Sequence, residues 1–391
     1  MVEDTRGMDF ELPSDIRILK DTMRRFVDQE LIPIEMQAMD GSDLKPEIRK
    51  TLEAKTRELG LWLLEVPKEL GGQDLSLLGI AVITEELART VALPARGPGI
   101  FGPEVRSILL SLSDEQKKRY LDPVLRGEKS TAFAQTEPDA GADPGGMRTT
   151  AVRQGDHYRI NGYKRFIAHA KGADFLQLVA ATDPKKGSRG GLTVFLVDMD
   201  ASGVSIAGKT VHMMGDVTYE IAFDDVKVPV ENRIGNEGDG MKAAQKWINA
   251  NRVNQAARGL GVAQRCLELI TSYTAQRSTF GRPLQSRQAV QFSVADLYTK
   301  LQAGQLLTYR TACKFDDGAL QRHETFMTKI YCTELGFEAA DRCMQFHGGL
   351  GTATEMPIER MWRQSRSFMI TGGPVEIMRA SLAREVFALY Q

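Results

Sequence analysis

The sequence predicts an α+β chain that is mainly α: an N-terminal helical domain, a small middle β domain and a C-terminal helical bundle. Three observations carry this. Apolar residues recur at helical spacing in the first and last thirds of the chain. Short apolar runs bounded by turn residues are confined to the middle. No internal repeat or low-complexity tract interrupts the order of helices, strands, helices. At 391 residues the chain is long enough for a large core and for more than one domain; the pattern places the boundaries at 1–129, 130–235 and 236–391. Lys+Arg 50 against Asp+Glu 51 argues against an electrostatic nucleic-acid binder or a polybasic membrane binder. No apolar run approaches the ~18 residues of a membrane span. Met1–Gly7 is polar, without a secretory or transit pattern. Cys266, Cys313, Cys332 and Cys343 all fall in helical segments with no CxxC pair, which disfavours a zinc or disulfide framework. The expectation is a reduced, cytoplasmic protein.

Each element has its own signal. Ile16, Leu19, Met23, Phe26 and Val27 fall on one helical face, and Leu52 to Leu64 reads as a second helix. Pro67 and Gly71-Gly72 mark turns. Ser113-Asp114-Glu115-Gln116 reads as a helix start closed by a capping box. In the middle, Ser130–Ala134, Tyr158–Asn161, Phe175–Ala181 and Leu192–Val197 read as strands, and Gly187–Gly191 as a loop. The third region carries helical patterns over Gly240–Ser278, Gln285–Asp316, Arg322–Phe346 and, more briefly, Pro374–Tyr390. Within the first of these, Gly259-Leu260-Gly261 lacks the strand-then-helix setting of a dinucleotide fingerprint and reads as helix packing. His347-Gly348-Gly349 has no nucleophile elbow to accompany it. His169, His212 and His323 have no metal spacing.

The chemistry-bearing stretch is Gln135-Thr136-Glu137-Pro138-Asp139-Ala140-Gly141-Ala142-Asp143. Pro138 and Gly141 favour a loop after a strand, and the small residues let backbone N–H groups approach a flat ligand. Read alone, it is as readily an ordinary surface turn. Its companions change that. They are Asp156–Ile167 with Gly162-Tyr163-Lys164-Arg165-Phe166-Ile167, then Phe223–Pro229, then Gln276–Leu284 with Gln288, then Gln345–Gly351, and Leu382–Glu385. This ordered series, spanning nearly the whole chain, resembles the acyl-CoA dehydrogenase family of flavoproteins.

The resemblance implies N-terminal helices, a β-barrel-like middle domain and a C-terminal four-helix bundle. It also implies FAD as cofactor, an electron-transfer flavoprotein as electron acceptor, and a tetramer of paired dimers. It assigns Gln135, Thr136, Gly141 and Ala142 to the flavin ring, with Phe166, Ile167 and Ala168 on its other side. Arg277, Phe280, Gln288, Gln345, Gly348 and Gly349 are assigned to the diphosphate and adenine end of a neighbouring subunit's FAD. Pro374 and Glu376 match further positions near FAD. Asn249, Arg252 and the Gly372 backbone are the implied substrate contacts. Ala142 and Ala168 depart from the family's frequent Ser and Thr, which removes two hydroxyls from the flavin's surroundings.

The larger departure concerns proton transfer. The family's default reaction, α,β-dehydrogenation of an acyl-CoA with hydride passing to flavin N5, needs a carboxylate against the α-proton. Most members place a Glu where this chain has Gly372, in Ile370-Thr371-Gly372-Gly373-Pro374; others place it where this chain has Asn251. Three explanations follow. Glu104 could act as the base. The chemistry could be an elimination on a polar acyl-CoA, of the kind that expels a sulfinate, with Arg96 or Arg106 from the N-terminal region engaging the acyl tail. Or the chain could be the base-less subunit of a mixed tetramer.

Overall fold

The computed structural model describes residues 10–94, 99–105 and 107–391. Its main helices, in chain order, are α1 (Ser14–Phe26), α2 (Pro46–Glu58), α3 (Leu77–Leu87), α4 (Gly240–Gln276), α5 (Gln288–Asp316), α6 (Arg322–His347), α7 (Pro357–Phe368) and α8 (Val375–Tyr390). Its main strands are β1 (Thr131–Ala134), β2 (Thr150–Gln154), β3 (His157–Ala168), β4 (Phe175–Ala181), β5 (Leu192–Asp198), β6 (Val204–Val211), β7 (Val217–Pro229) and β8 (Arg233–Ile234). The chain forms two compact units. One holds the chain up to Gln37, Leu75–Ala92 and Ala250–Gln391; the other holds Ala38–Asp74 and Leu93–Asn249. None of the described helices is long and apolar enough to cross a membrane.

The first unit is helical. α1 begins with Asp15 and ends with Arg24 and Arg25, each complementing the helix dipole, and buries Ile16, Met23 and Phe26 on one face. α3 is apolar nearly all round, so it lies inside. Its N–H groups are satisfied by the Ser76 hydroxyl, 3.2 Å from the Gly79 nitrogen, and by the Asp316 carboxylate, 2.7 and 3.1 Å from the Leu77 and Leu78 nitrogens. The two carboxylates that α3 carries inside, Glu85 and Glu86, are matched by Lys20 and Arg24, each at 3.0 Å. Burying them unpaired would be prohibitive.

The glycine pair of the α4 pattern does pack helices. A Cβ on Gly259 would sit 2.1 Å from the Cys332 carbonyl of α6, and one on Gly261 would sit 2.1 Å from the Glu85 carbonyl of α3. Gly336 of α6 meets Gly259 in return. Around this contact Val91, Leu260, Ala263, Cys266, Leu301, Cys332, Leu335 and Ala339 form one core. All four cysteines lie on helices, as the pattern predicts, and Cys313 alone of them is exposed. Two helical readings need amendment. The second helix ends at Glu58, because Leu59 and the left-handed Gly60 turn the chain. The C-terminal region carries an additional helix, α7, whose charged composition hid its apolar face of Ile358, Met361 and Phe368.

The second unit is built on an eight-stranded sheet in the order β8-β5-β4-β2-β3-β7-β6, with β1 pairing in parallel with β4. The strand β4, apolar apart from Gln177, is buried along its whole length and so covered on both faces. The expected barrel-like closure is not found: the path of paired strands is open, and β2 meets β4 through the single pair Thr150–Ala181. Ser113 caps its helix as predicted, accepting from the Gln116 nitrogen at 3.3 Å while the Gln116 amide oxygen accepts from the Ser113 nitrogen at 3.1 Å.

The glycine contact gives a direct prediction. Gly259→Ala forces α4 and α6 apart and should cost at least the ~1–3 kcal/mol of core overpacking. Gly172→Ala, where a Cβ meets nothing within 4 Å, should leave the melting temperature near that of the parent. Thermal unfolding of the two variants checks this.

Candidate active site

The two groups of residues singled out above fall in different units, and each is built by its own local chemistry. In the sheet unit, the Gln135–Asp143 loop leaves β1 and is held by a buried ion pair. The Lys164 ammonium, from the inward face of β3, lies 2.7 Å from the Glu137 carboxylate and 3.0 Å from the Gln135 carbonyl. The same carboxylate accepts from the backbone nitrogens of Arg148 at 2.6 Å and Thr149 at 3.0 Å. Burial opposes the charge on Glu137, but Lys164 and these N–H groups outweigh it and hold the carboxyl below its usual range. Burial pushes the Lys164 ammonium down to about 8, with Glu137 pulling the other way. The pair is therefore ionised at neutral pH. A further bond, from the Arg165 nitrogen to the Thr136 carbonyl at 2.8 Å, ties the loop to the end of β3.

Just beyond Lys164 the β3–β7 register shifts, and Phe166 and His169 adopt left-handed backbone angles of 59° and 61°. Such strain in non-glycine residues needs a surrounding that enforces it. The bulge turns the Phe166 ring outward, leaving it 44% exposed, while Ile167 is buried. Ala168 stands opposite Thr218, whose hydroxyl is 2.8 Å from the His212 Nε2 atom. Gly141 and Ala142 are exposed, and a Cβ on Gly141 meets nothing within 4 Å. Their N–H groups have no backbone acceptor among the described residues. An open cradle of N–H donors beside an outward-turned aromatic ring fits a flat, electron-accepting ring system such as flavin.

The residues assigned to the far end of a neighbouring FAD lie on the helical unit, at the end of α4, the start of α5 and the end of α6. Arg277, Gln288, Gln345, Gly348 and Gly349 are exposed. Phe280 is 97% exposed and left-handed. His347 is not a catalytic group. Its Nδ1–H donates to the Cys343 carbonyl at 2.7 Å and its ring stacks on Tyr273 at 4.3 Å, so it anchors the turn into Gly348.

The remaining assigned residues meet where α7 passes into α8. Gly372 and Gly373 adopt left-handed angles of 70° and 106°. A Cβ on Gly372 would point at the Asn251 side chain, 3.0 Å from its Nδ2 atom. The two positions at which the family carries its base therefore face each other here, one an amide and one without a side chain. The Gly372 N–H has no backbone acceptor among the described residues. Cations surround this end. The Arg252 guanidinium lies 4.8 Å from the centre of the Phe326 ring and that of Arg322 lies 5.4 Å from it. Burial and the nearby Arg322 lower the Arg252 pKa to about 10, which leaves it charged. Lys329, fully buried, donates to the carbonyls of Met369 at 3.0 Å and Gly373 at 2.9 Å. Burial and then Arg252 bring its pKa down to about 8, against the pull of Glu376 and Glu334. Pro374 and the exposed Glu376 open α8.

Of the other candidates, Glu104 is exposed and lies beside Glu65. The segments that carry the two run together through the Leu63 nitrogen and Phe101 carbonyl at 2.8 Å. Crowding and then the Glu104 charge raise the Glu65 carboxyl to about 7. Water still reaches both side chains and screens the pair. Arg96 and Arg106 lie outside the described residues. Asn249 accepts from the Gln245 amide at 2.9 Å. Lys164, Lys329 and Glu65 were not singled out from sequence. A buried lysine leaves no periodic mark, and these become visible only through their partners.

The chain matches the models for the acyl-CoA dehydrogenase N-terminal domain over residues 13–128, middle domain over 132–226 and C-terminal domain over 238–387. It is 36% identical to a subunit of the caffeyl-CoA reductase–Etf complex of Acetobacterium woodii, covering 93% of this chain and 96% of that one. It is likewise 36% identical to the 3-(aryl)acrylate reductase of Clostridium sporogenes, over 94% and 97% of the two chains. The solved glutaryl-coenzyme A dehydrogenase in complex with glutaryl-CoA superposes with a TM-score of 0.85 at 30% identity, covering 97% of each chain. The protein belongs to the acyl-CoA dehydrogenase family, with its N-terminal helical, middle sheet and C-terminal helical domains. It is a flavoenzyme of FAD-dependent type.

The Lys164–Glu137 pair holds the Gln135–Asp143 loop, so its loss has a defined expected effect. Lys164→Met leaves a buried carboxylate unpaired, at a cost of about 3–5 kcal/mol. The variant should purify with most of its FAD missing, read from the ratio of visible to ultraviolet absorbance. Full FAD occupancy would contradict this role.

Proposed function

We propose that the protein is an oxidoreductase of acyl-CoA thioesters, acting at Cα–Cβ, whose acyl group carries an anionic substituent of its own. The observation that carries this reading is the facing pair Asn251 and Gly372, set among Arg252, Lys329 and Arg322. Bound FAD, held by the Gln135–Ala142 loop and the Phe166–Ala168 bulge, supplies the two-electron chemistry. The chain's own residues do the rest. The Gly372 N–H is a donor for the thioester carbonyl, and Asn251 is a second donor beside it. Neither accepts a proton at neutral pH, so this end of the site stabilises negative charge and abstracts nothing. Arg252 and its neighbouring cations favour a carboxylate or sulfinate on the acyl group. The solved relative bound to glutaryl-CoA, whose acyl group bears one free carboxylate, is consistent with this class.

Such a substrate leaves two reactions open: flavin-assisted elimination, in which the anionic substituent is the leaving group, and α,β-dehydrogenation, in which the α-proton passes to a base other than residues 251 and 372. The electron partner we propose is an electron-transfer flavoprotein, in keeping with the Etf complex of the Acetobacterium woodii relative. The fully exposed Phe280, with Arg277, Gln288 and Gln345, supports an assembly in which each subunit completes another's FAD site.

Anaerobic titration of the FAD-loaded protein tests the substrate class. Acyl-CoAs with a terminal carboxylate should perturb the flavin spectrum at concentrations at least ~10-fold lower than uncharged acyl-CoAs of equal length, a difference of about 1.4 kcal/mol. Equal affinity would overturn the reading. Asn251→Glu places a carboxylate on an unstrained helical position and should give bleaching by uncharged saturated acyl-CoAs. Gly372→Glu should gain less, because its left-handed backbone costs an L-residue about 1–2 kcal/mol.

A further inference from the structure

The turn between α7 and α8 carries the Gly372 N–H, yet two consecutive left-handed glycines are poor at holding one conformation on their own, since glycine loses the most backbone freedom on ordering. Something else must fix it. Within the turn, the Val375 nitrogen donates to the Met369 carbonyl at 3.1 Å, closing a loop over residues 369–375. A charged side chain reaches these carbonyls from across the unit. The Lys329 ammonium, on α6, donates to Met369 at one end of the loop and to Gly373 at the other. Met369 also caps the C-terminus of α7, where a cation is favoured by the unsatisfied carbonyls.

We infer that Lys329 is a positioning residue for thioester binding: by clamping the carbonyls of Met369 and Gly373 it holds the Gly372 N–H outward as a donor. It touches neither substrate nor flavin in this account and acts through the turn alone. The inference rests on the reading of Gly372 as the thioester donor, but the clamp itself stands on geometry independent of that reading. The charged groups that act on Lys329 are Arg252 from α4, Glu376 from α8 and Glu334 from its own helix; α7 contributes the Met369 carbonyl. Since Lys329 gives up its proton near pH 8, a charge-assisted clamp loosens above that pH, and a neutral amine replaces it with weaker donors.

Two measurements on the FAD-loaded protein separate the clamp from its consequence. Hydrogen exchange of the peptide spanning residues 369–375 reads the clamp. It should speed up at least ~10-fold in Lys329→Met, and in the unmodified protein it should rise between pH 7 and pH 9 by more than the chemical pH dependence of amide exchange. Acyl-CoA affinity, from the flavin spectral shift, reads the consequence. It should weaken ~10-fold or more in Lys329→Met with FAD content retained, and the variant's affinity should no longer change across pH 7–9. Unchanged exchange of the 369–375 peptide overturns the clamp. Faster exchange with unchanged affinity overturns its role in binding. If Lys329→Met does not fold, the unmodified protein decides: no excess exchange above pH 8 overturns the inference. If no acyl-CoA perturbs the unmodified flavin, the functional reading fails while the exchange arm still tests the clamp.

Discussion

The helical unit depends on the contact of two backbones. Gly259 of α4 and Gly336 of α6 leave no side chain between the helices, so α4 lies against the Cys332 carbonyl. The helices run in the same direction, because Arg252 meets Phe326 two turns before Gly259 meets Cys332. Over those seven residues, about 10 Å of helix, the close approach is carried forward to Asn251 and Arg252 on one side and to Phe326 and Lys329 on the other. The side chains of Asn251 and Lys329 at the Gly372 turn are therefore carried by two helices whose approach is set some distance from it.

The character of that end follows from what is brought together. α4 supplies an amide and a guanidinium, α6 an ammonium, and the turn an N–H with no backbone acceptor among the described residues. The group nearest a Cβ at Gly372 is the Asn251 amide nitrogen, a hydrogen-bond donor. In low-dielectric surroundings such an arrangement stabilises an anion and leaves a buried cation costly, as the lowered pKa values of Arg252 and Lys329 record. The sheet unit follows the same logic on a smaller scale: one buried ion pair, Lys164–Glu137, ties the Gln135–Asp143 loop to β3 just before the bulge at Phe166.

Much of this was legible in the sequence, and the reasons are physical. Long helices announce themselves by period, and β4 and β5 by short, mainly apolar runs between turns. The capping box at Ser113 and the packing glycines of α4 depend on nearby residues or on small size alone, so they too could be read. The helix α7 could not, because its apolar face is thinned by charged residues. Closure of the sheet was expected from resemblance, and pairing between distant strands is not written in any local pattern. Gly372 and Asn251 were each found as departures, but that they face each other is a property of tertiary packing. Lys164 and Lys329 were invisible for the same reason: their partners are mostly backbone carbonyls and a carboxylate far along the chain.

With Asn251 and Gly372 at the two usual base positions, neither position offers a carboxylate to take the α-proton. The most direct test is loss of the α-protons of an uncharged saturated acyl-CoA such as butyryl-CoA into deuterated water, followed by NMR with the unmodified, FAD-loaded protein. This reports proton abstraction whether or not electrons move. Retention of the α-protons at the rate of the uncatalysed thioester is the predicted result. Catalysed exchange would show that a base reaches the α-carbon after all, and would contradict the account.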